Sequence, residues 1–522
     1  MDFYEDLVYS KLFWATTVLF GVYLYLKYIM YNCWSRNGVP HDSPSIPLGN
    51  VPFSYFTENV PHGEIIKSSY EKYKNHRYHG LYILNEPILV VNDPELIRLI
   101  LVKNFTNFCN RGTYYNESTD PLSCALPRLV DDKWKRLRAK LSPTFTSGSL
   151  KKMYPMFKEI CDKLVKTFDT ALDESDVLEM KDIASRFTMD CISSIVLGFN
   201  VNSLQNPEHE FRKYGKIVND FGKVFVLLSF YVPDMIDFYS FIPKKRKKVH
   251  AFFVYLFQKT VAYRRAKKIV RNDFLNMLMQ LMDRGYVENE FEASSTNVSD
   301  DDRLSMTEAV AQSVIFFAAG QETTSSALCC CLYELALHQD VQKKLQWEID
   351  QAFASPEGLT YEKIFEMPYL DMVLCETLRK HPGAPVLNRI SLADLNVPDS
   401  KFRIPKGMRL VIPVNGIHSD PNVYPDPDRF DPSRFTPENR AKRHPLVYLP
   451  FGEGPRHCIG KRLGVLKPKI ALCYLLKNYS FFSCDKTQPR LSYMSNSFVQ
   501  VPAGGVYLRV ERRRQERTEA SP

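Results

Sequence analysis

The chain is predicted to be mainly α-helical with small β-sheets, an α+β fold carried behind one N-terminal helix that crosses a membrane. Three features lead there: long stretches with apolar residues at three- and four-residue spacing, short strand-like pieces between them, and a single uncharged apolar run near the start. The first pattern turns one helix face toward a core, the second gives small sheets, and the third suits a lipid interior.

Taken in order, residues 12–26 (LFWATTVLFGVYLYL) contain no charge, and the apolar character resumes after Lys27 through Tyr31, so 1–34 is expected to be a membrane anchor. Asp2, Glu5 and Asp6 lie ahead of it and no small-residue cleavage site follows, which favours an uncleaved anchor over a signal peptide. Lys27 and Arg36 behind the span hold the C-terminal bulk in the cytosol, giving a single-pass topology. Pro40, Pro44 and Pro47 make 35–50 an extended, proline-rich hinge. The main body is expected over 51–510, and 511–522 (ERRRQERTEASP) is a charged tail.

Helical spacing covers 152–171, 264–282, 306–338 and 361–379; strand-like pieces are YILNEPILVVND, MRLVIPV and GVYLRV. No internal repeat occurs. The apolar stretch 224–231 (VFVLLSFY), with Lys244, Lys245, Arg246, Lys247 and Lys248 beyond it, is expected to be peripheral; that basic run is either a solvated loop or a second touch on acidic lipid headgroups. Sequons at Asn104, Asn116, Asn297 and Asn478 stay unmodified in a cytosolic body.

With 522 residues, 45% hydrophobic and 24% charged, the chain is neither disordered nor collagenous, and it is too long for a lone binding module. Lys and Arg number 68 against 59 Asp and Glu, a net +9 that suits an anionic membrane surface or an acidic partner; nucleic acid calls for a denser basic patch. Twelve scattered cysteines fit a reduced compartment.

The chemistry concentrates in LPFGEGPRHCIGKRLG. Cys458 sits in a Gly- and Pro-studded loop running straight into an apolar helix. Gly452 and Gly454 allow tight turns, Gly460 leaves room for a flat ring, and amide hydrogens near the helix start favour a thiolate. Zinc would need further ligands at short spacing, whereas haem iron needs a single protein ligand.

Phe451, Gly454, Arg456, Cys458 and Gly460 reproduce Phe-x-x-Gly-x-Arg-x-Cys-x-Gly, and here the chain resembles the cytochrome P-450 family of haem-thiolate monooxygenases, anchor included. The resemblance implies the P-450 fold, haem b (iron protoporphyrin IX) with Cys458 as axial ligand, and O2 and NADPH-derived electrons as co-substrates. In AGQETTSS, Ala319 and Gly320 thin a helix face and Thr323 can bond backward to a carbonyl, opening a groove for dioxygen. Glu322 and Thr323 are the expected proton-relay pair. Glu376 and Arg379 in CETLRKHP stand three apart on one helix face. The family implies that they pair with a further Arg to hold the loop beneath the haem; Arg434 and Arg429 both fit, spacing favouring Arg434. Trp134, Arg138, Arg389 and Arg456 match the family's propionate donors, and His457 replaces the more usual Asn.

No GxGxxG-type fingerprint occurs, so electrons must come from a separate donor: an NADPH-cytochrome P-450 reductase, with cytochrome b5 as a second source. Lys135, Arg136, Lys140, Lys461 and Arg462 offer it a basic patch. The substrate pocket is expected at Phe105, Phe108, Tyr114, Tyr115, Phe316, Phe317, Val386, Leu387, Phe498 and Val499, a greasy lining for a neutral lipophile. The C-terminal third is most similar to microsomal insect members, which implies an endoplasmic reticulum enzyme oxidising plant toxins and insecticides. Narrow oxidation of a hormone or pheromone is the alternative within the family, and a reductase-independent haem-thiolate isomerase or a haem sensor lies outside its main activity.

Overall fold

A computed structural model describes residues 2–239, 244–287 and 303–514. The expected sequon at Asn297, most of the charged tail, and the side chains of Lys244, Lys245 and Arg246 lie outside the described residues. Among the described residues the fold is mainly helical with three small sheets.

The helices that bear on the site are α1 (Asp2–Tyr28), α2 (Asp131–Leu141), α3 (Ser147–Glu174), α4 (Met180–Ile192), α5 (Lys223–Tyr231), α6 (Lys244–Lys267), α7 (Phe274–Arg284), α8 (Met306–Leu337), α9 (Tyr361–Glu366), α10 (Pro368–Lys380) and α11 (Lys461–Asn478). The strands are β1 (Tyr78–Ile83), β2 (Glu86–Val91), β3 (Val177–Glu179), β4 (Leu387–Ile390), β5 (Leu395–Asn396), β6 (Arg403–Ile404), β7 (Arg409–Ile412), β8 (Tyr479–Phe482) and β9 (Tyr507–Arg512). They pair as β1-β2-β7-β4, β3-β9-β8 and β5-β6. YILNEPILVVND is not one strand: Leu84, at φ 55°, turns β1 back on β2, with Ile83 opposite Glu86.

One segment among the described residues, Lys11–Arg36, is long and apolar enough to cross a membrane; its most apolar part has a mean hydropathy of 1.4 and none of that part is buried. The expected anchor boundary at 34 moves back, because Tyr31 and Trp34 belong to the core. The Trp34 indole N–H donates to Leu81 O (3.2 Å), and its ring lies so close to β1 that a Cβ on Gly80 would fall 2.4 Å from it. The 35–50 segment is likewise packed, not a free hinge: Val39 is buried and the Gly80 amide donates to Pro40 O. At the other end β9 runs to Arg512, and Arg513 pairs with Asp350 at 2.6 Å, so the body extends into the expected tail.

Central α8 is buried on nearly every side, packing on α4, α10 and α11. Ser305 and Glu308 close its N-terminus with a reciprocal capping box. Two of the expected helices are broken. The 264–282 stretch divides at 268–273, where Lys268 takes φ 52° and Asp273 caps α7 while binding buried Arg264 at 2.5 and 2.8 Å. The 361–379 stretch divides at Met367, whose extended ψ of 102° is imposed by Pro368, the first residue of α10. Apolar spacing does not register such breaks; the capping Asp and the proline do. The 224–231 stretch is not peripheral either, since α5 buries Phe225, Val226, Leu227 and Tyr231 against Tyr55 and Tyr114 and exposes Val224.

Candidate active site

The loop ahead of α11 is built on two left-handed glycines, Gly452 (φ 69°) and Gly454 (φ 72°). A Cβ on Gly454 would fall 1.9 Å from Leu101 O, so no larger residue fits. The Cys458 amide donates to Phe451 O (2.8 Å), the His457 amide to Gly454 O, and Lys461 opens α11 with its amide on Cys458 O. Cys458 is the exposed cysteine of the twelve, and a Cβ on Gly460 would meet nothing within 4 Å. Desolvation pushes its thiol up; the Gly460 amide, Arg111, Arg138 and Lys461 pull back without prevailing. The helix-start amide therefore favours the thiolate, in the direction the sequence suggests, while burial outweighs it; a bound cation would reverse that balance.

Four arginines gather on one side of Cys458. Arg138, on α2, donates to His457 O at 3.0 Å and stands 3.5 Å from the His457 ring, which bonds Gly454 O; the substituted histidine thus clasps the turn. Arg456 donates to Leu129 O (2.6 Å), with its guanidinium 4.2 Å from the Trp134 ring centre. Arg389, on β4, bonds Asn388 O. Arg111, absent from the sequence expectations, donates to Arg456 O at 3.0 Å. Among the described residues, the buried Nε groups of Arg389 and Arg456 find no acceptor. Burial, then the like charge of Arg111, holds both guanidiniums well below the usual range, and Arg389 lowers Arg456 further. Such crowding is costly unless anions offset it. A planar group bearing two carboxylates and a thiolate-seeking metal fits this donor set.

Along α8, Ile315, Ala319 and Thr323 form an i, i+4, i+8 stripe. Ala319 is exposed, and Thr323 Oγ1 donates to Ala319 O at 2.7 Å. Gly320 and Glu322, expected beside them, are turned away. A Gly320 Cβ would lie 2.7 Å from Ile192 Cδ1, so that glycine admits α4 and not a cofactor. Glu322 is buried in an ion pair with Lys181, which also donates to Ser325 Oγ at 2.8 Å. Successive helix residues point about 100° apart; the structure does not join Glu322 and Thr323 into a relay.

Several expected pocket residues are core. Phe108 is fully buried among Tyr31, Leu96 and Leu101; Phe316 packs on Phe145 and Phe274; Phe317 packs on Phe211 and Phe253. Tyr114 and Val386 belong to the core around Phe225, Phe105 lies against Trp134, and the Tyr115 hydroxyl reaches Glu117. Leu387 stays near the site, 3.7 Å from where a Gly452 Cβ would stand. Half-buried Phe498 joins Phe221 and Phe230, with Val499 half-buried beside it. The cleft beside α8 is lined by Leu122, Ala125, Ile217, Val314, Ile315 and Ala318, with Phe221 at its edge. It also carries Arg128, Asp220 and His250, so it is not purely greasy. Counting back in fours from Thr323 finds Ala319 and Ile315, a signal the choice of Phe316 and Phe317 missed. Another cleft, of about 270 Å³ between Met156, Glu159 and Arg271, contains none of these residues.

Glu376 and Arg379 are buried and paired twice, at 2.7 and 2.8 Å. Arg434 Nε stands 3.4 Å from Glu376 Oε1, while Arg429 is exposed. Arg434 therefore completes the cluster by proximity, although its Nε lacks hydrogen-bond geometry there; its Nη2 donates to Asp426 O. Arg379 also donates to His418 O, and the His418 ring accepts the Leu449 amide, tying the cluster to the Cys458 loop. Lys135, Arg136, Lys461 and Arg462 are exposed around that loop, with Lys140 half-buried.

The cytochrome P450 family model matches residues 44–509. The chain is 39% identical over 500 residues to "Probable cytochrome P450 6a13" of Drosophila melanogaster, covering 94% of this chain and 97% of that relative. It is 36% identical over 523 residues to "Cytochrome P450 6A1" of Musca domestica, covering 98% and 99%. "Cytochrome P450 6a2" of Drosophila melanogaster is 37% identical, covering 94% and 97%.

Proposed function

The chain belongs to the cytochrome P450 family of monooxygenases, and from that premise we propose a membrane-anchored enzyme of the endoplasmic reticulum that oxidises lipophilic xenobiotics. Plant toxins and insecticides are the substrate class, and the electrons come from NADPH through a separate reductase, with cytochrome b5 as a second donor. Family membership implies haem, dioxygen, reducing electrons from a redox partner and a small-molecule substrate. Haem b, when bound, supplies the iron at which dioxygen is activated and one of its atoms transferred to the substrate.

The chain's own residues do the rest. Cys458 Sγ would hold the iron, with Phe451 O fixing its backbone and Gly460 leaving open space beside it. Arg111, Arg138, Arg389 and Arg456, with Trp134, would hold the propionates; the Nε groups of Arg389 and Arg456, buried without an acceptor among the described residues, support this assignment. Thr323 gives its hydroxyl hydrogen to Ala319 O and keeps its lone pairs for a water on the open side, so it holds a proton carrier beside the reacting face. Glu322 would have to leave Lys181 to join it. The aliphatic wall from Leu122 to Ala318 excludes water and binds by burial, while Arg128, Asp220 and His250 give a substrate's polar atoms a place to lodge. The exposed lysines and arginines around the Cys458 loop steer an acidic flavoprotein.

One observation carries this reading: exposed Cys458 lies within the field of Arg111 and Arg138, beside Arg389 and Arg456, whose buried Nε groups find no acceptor among the described residues. The test is reconstitution of full-length protein with an NADPH-dependent reductase in microsomes, against plant toxins, insecticides, hormones and pheromones. Turnover of many unrelated lipophiles is expected. Efficient turnover of one hormone or pheromone alone would overturn the xenobiotic assignment.

A further inference from the structure

Lys467 lies in α11, nine residues after Cys458, and is fully buried. Among the described residues no carboxylate pairs with it; its ammonium donates at 2.5 Å to the main-chain carbonyl of Gly320 in α8. A buried lysine is expensive unless its charge is offset, and an apolar residue at this position would fold more cheaply. Gly320 lies directly against it: a Cβ there would stand in ordinary contact with Lys467 Nζ, at 3.6 Å, while colliding with Ile192 Cδ1 at 2.7 Å. The preceding carbonyl, that of Ala319, accepts the Thr323 hydroxyl. Two successive carbonyls of α8 thus receive side-chain donors, one from the helix's own open face and one from the helix that begins just after Cys458.

Side-chain donors that enter a helical ladder displace its carbonyls and set local curvature. We propose that Lys467 is a positioning residue: by drawing the Gly320 carbonyl toward α11 it fixes the Ala319–Thr323 pair, so that the thiolate-bearing wall sets the geometry of the hydroxyl-bearing wall. This rests on Thr323 being the site hydroxyl.

The experiment compares Lys467→Met, Lys467→Gln, Thr323→Ala and the double variant Lys467→Met with Thr323→Ala, all as haem-loaded full-length protein. Product formed per NADPH consumed is measured with reductase, and backbone hydrogen exchange over residues 316–326 is followed by mass spectrometry. Lys467→Met should lower coupling at least threefold and speed exchange in that segment but not elsewhere, with the thiolate-type spectrum intact. Lys467→Gln keeps a donor and should recover most of both. The double variant should be no less coupled than Thr323→Ala alone, since both changes act on one pair. Unchanged coupling and exchange in Lys467→Met, with Thr323→Ala uncoupled, would overturn the inference and leave the Thr323 reading standing. Unchanged coupling in Thr323→Ala would remove that reading and the inference with it. Should Lys467→Met not load haem, Lys467→Leu against Lys467→Gln carries the same contrast.

Discussion

Replacing Glu376 with Gln preserves shape and removes the one negative charge between two buried guanidiniums. Glu376 Oε2 accepts from Arg379 Nε (2.7 Å); Oε1 accepts from Arg379 Nη2 (2.8 Å) and the Asp431 amide (3.0 Å), with Arg434 Nε at 3.4 Å. Neither Glu376 nor Arg379 is exposed by more than 1%. Two charge-assisted bonds contribute about 1.5–3 kcal/mol each, and breaking a buried pair from one side costs about 3–5 kcal/mol. We take about 4 kcal/mol, because Arg379 keeps its bonds to His418 O and Pro427 O and the amide of the new side chain restores part of the network. Against a total stability of about 5–15 kcal/mol that is a large fraction. The loss should appear as a lower urea midpoint by circular dichroism and as haem released at lower urea, because Arg379 reaches the Cys458 loop through His418 and Leu449. The control is Glu362→Gln, whose pair with Lys151 is exposed on both sides and should leave the midpoint unchanged. A Glu376→Gln midpoint equal to that of the control would refute the reasoning.

Removing cations from the arginine cluster should separate haem retention from folding: Arg456→Met relieves like-charge crowding, so the haem-free protein should unfold no earlier, while haem transfers to apomyoglobin at least tenfold faster. Slower or unchanged transfer would contradict the propionate assignment. Burial brings the Lys467 amine from 10.5 down to about 8, so below pH 8 it is protonated in both states, and between 8 and 10.5 the unfolded chain binds the extra proton. Stability should therefore rise with pH across that window by about 3 kcal/mol relative to Lys467→Met, read from paired urea titrations; parallel pH profiles would contradict it. Ile315→Phe should change the ratio of products from one substrate, because Ile315 lines the cleft, whereas Phe316→Ala should cost about 3–5 kcal/mol of stability and leave that ratio alone. The opposite assignment of effects would restore Phe316 to the pocket.

What the sequence disclosed was whatever its chemistry keeps local. The Cys458 loop declares itself because its glycines, Arg456 and the cysteine lie within ten residues, and Glu376 and Arg379 meet across one helical turn. The backward bond from Thr323 to Ala319 is equally local. Features set by distant segments were hidden. Arg111 takes its place from Arg456, 345 positions away, and Glu322 is claimed by Lys181, 141 positions away. Phe316 and Phe317 look like pocket residues by composition, but helix phase turns them into the core and gives the cleft to Ile315 and Ala318. The burial of α5 depends on Tyr55 and Tyr114 arriving from elsewhere, which no local pattern announces.

The central claim is that Cys458 Sγ holds iron in a porphyrin. The carbon monoxide difference spectrum of the reduced, haem-loaded full-length protein tests it most directly. A thiolate-type band is predicted for the native chain and its loss for Cys458→Ala. An imidazole-type spectrum from the native, folded protein, or the same thiolate band surviving in Cys458→Ala, would contradict the account.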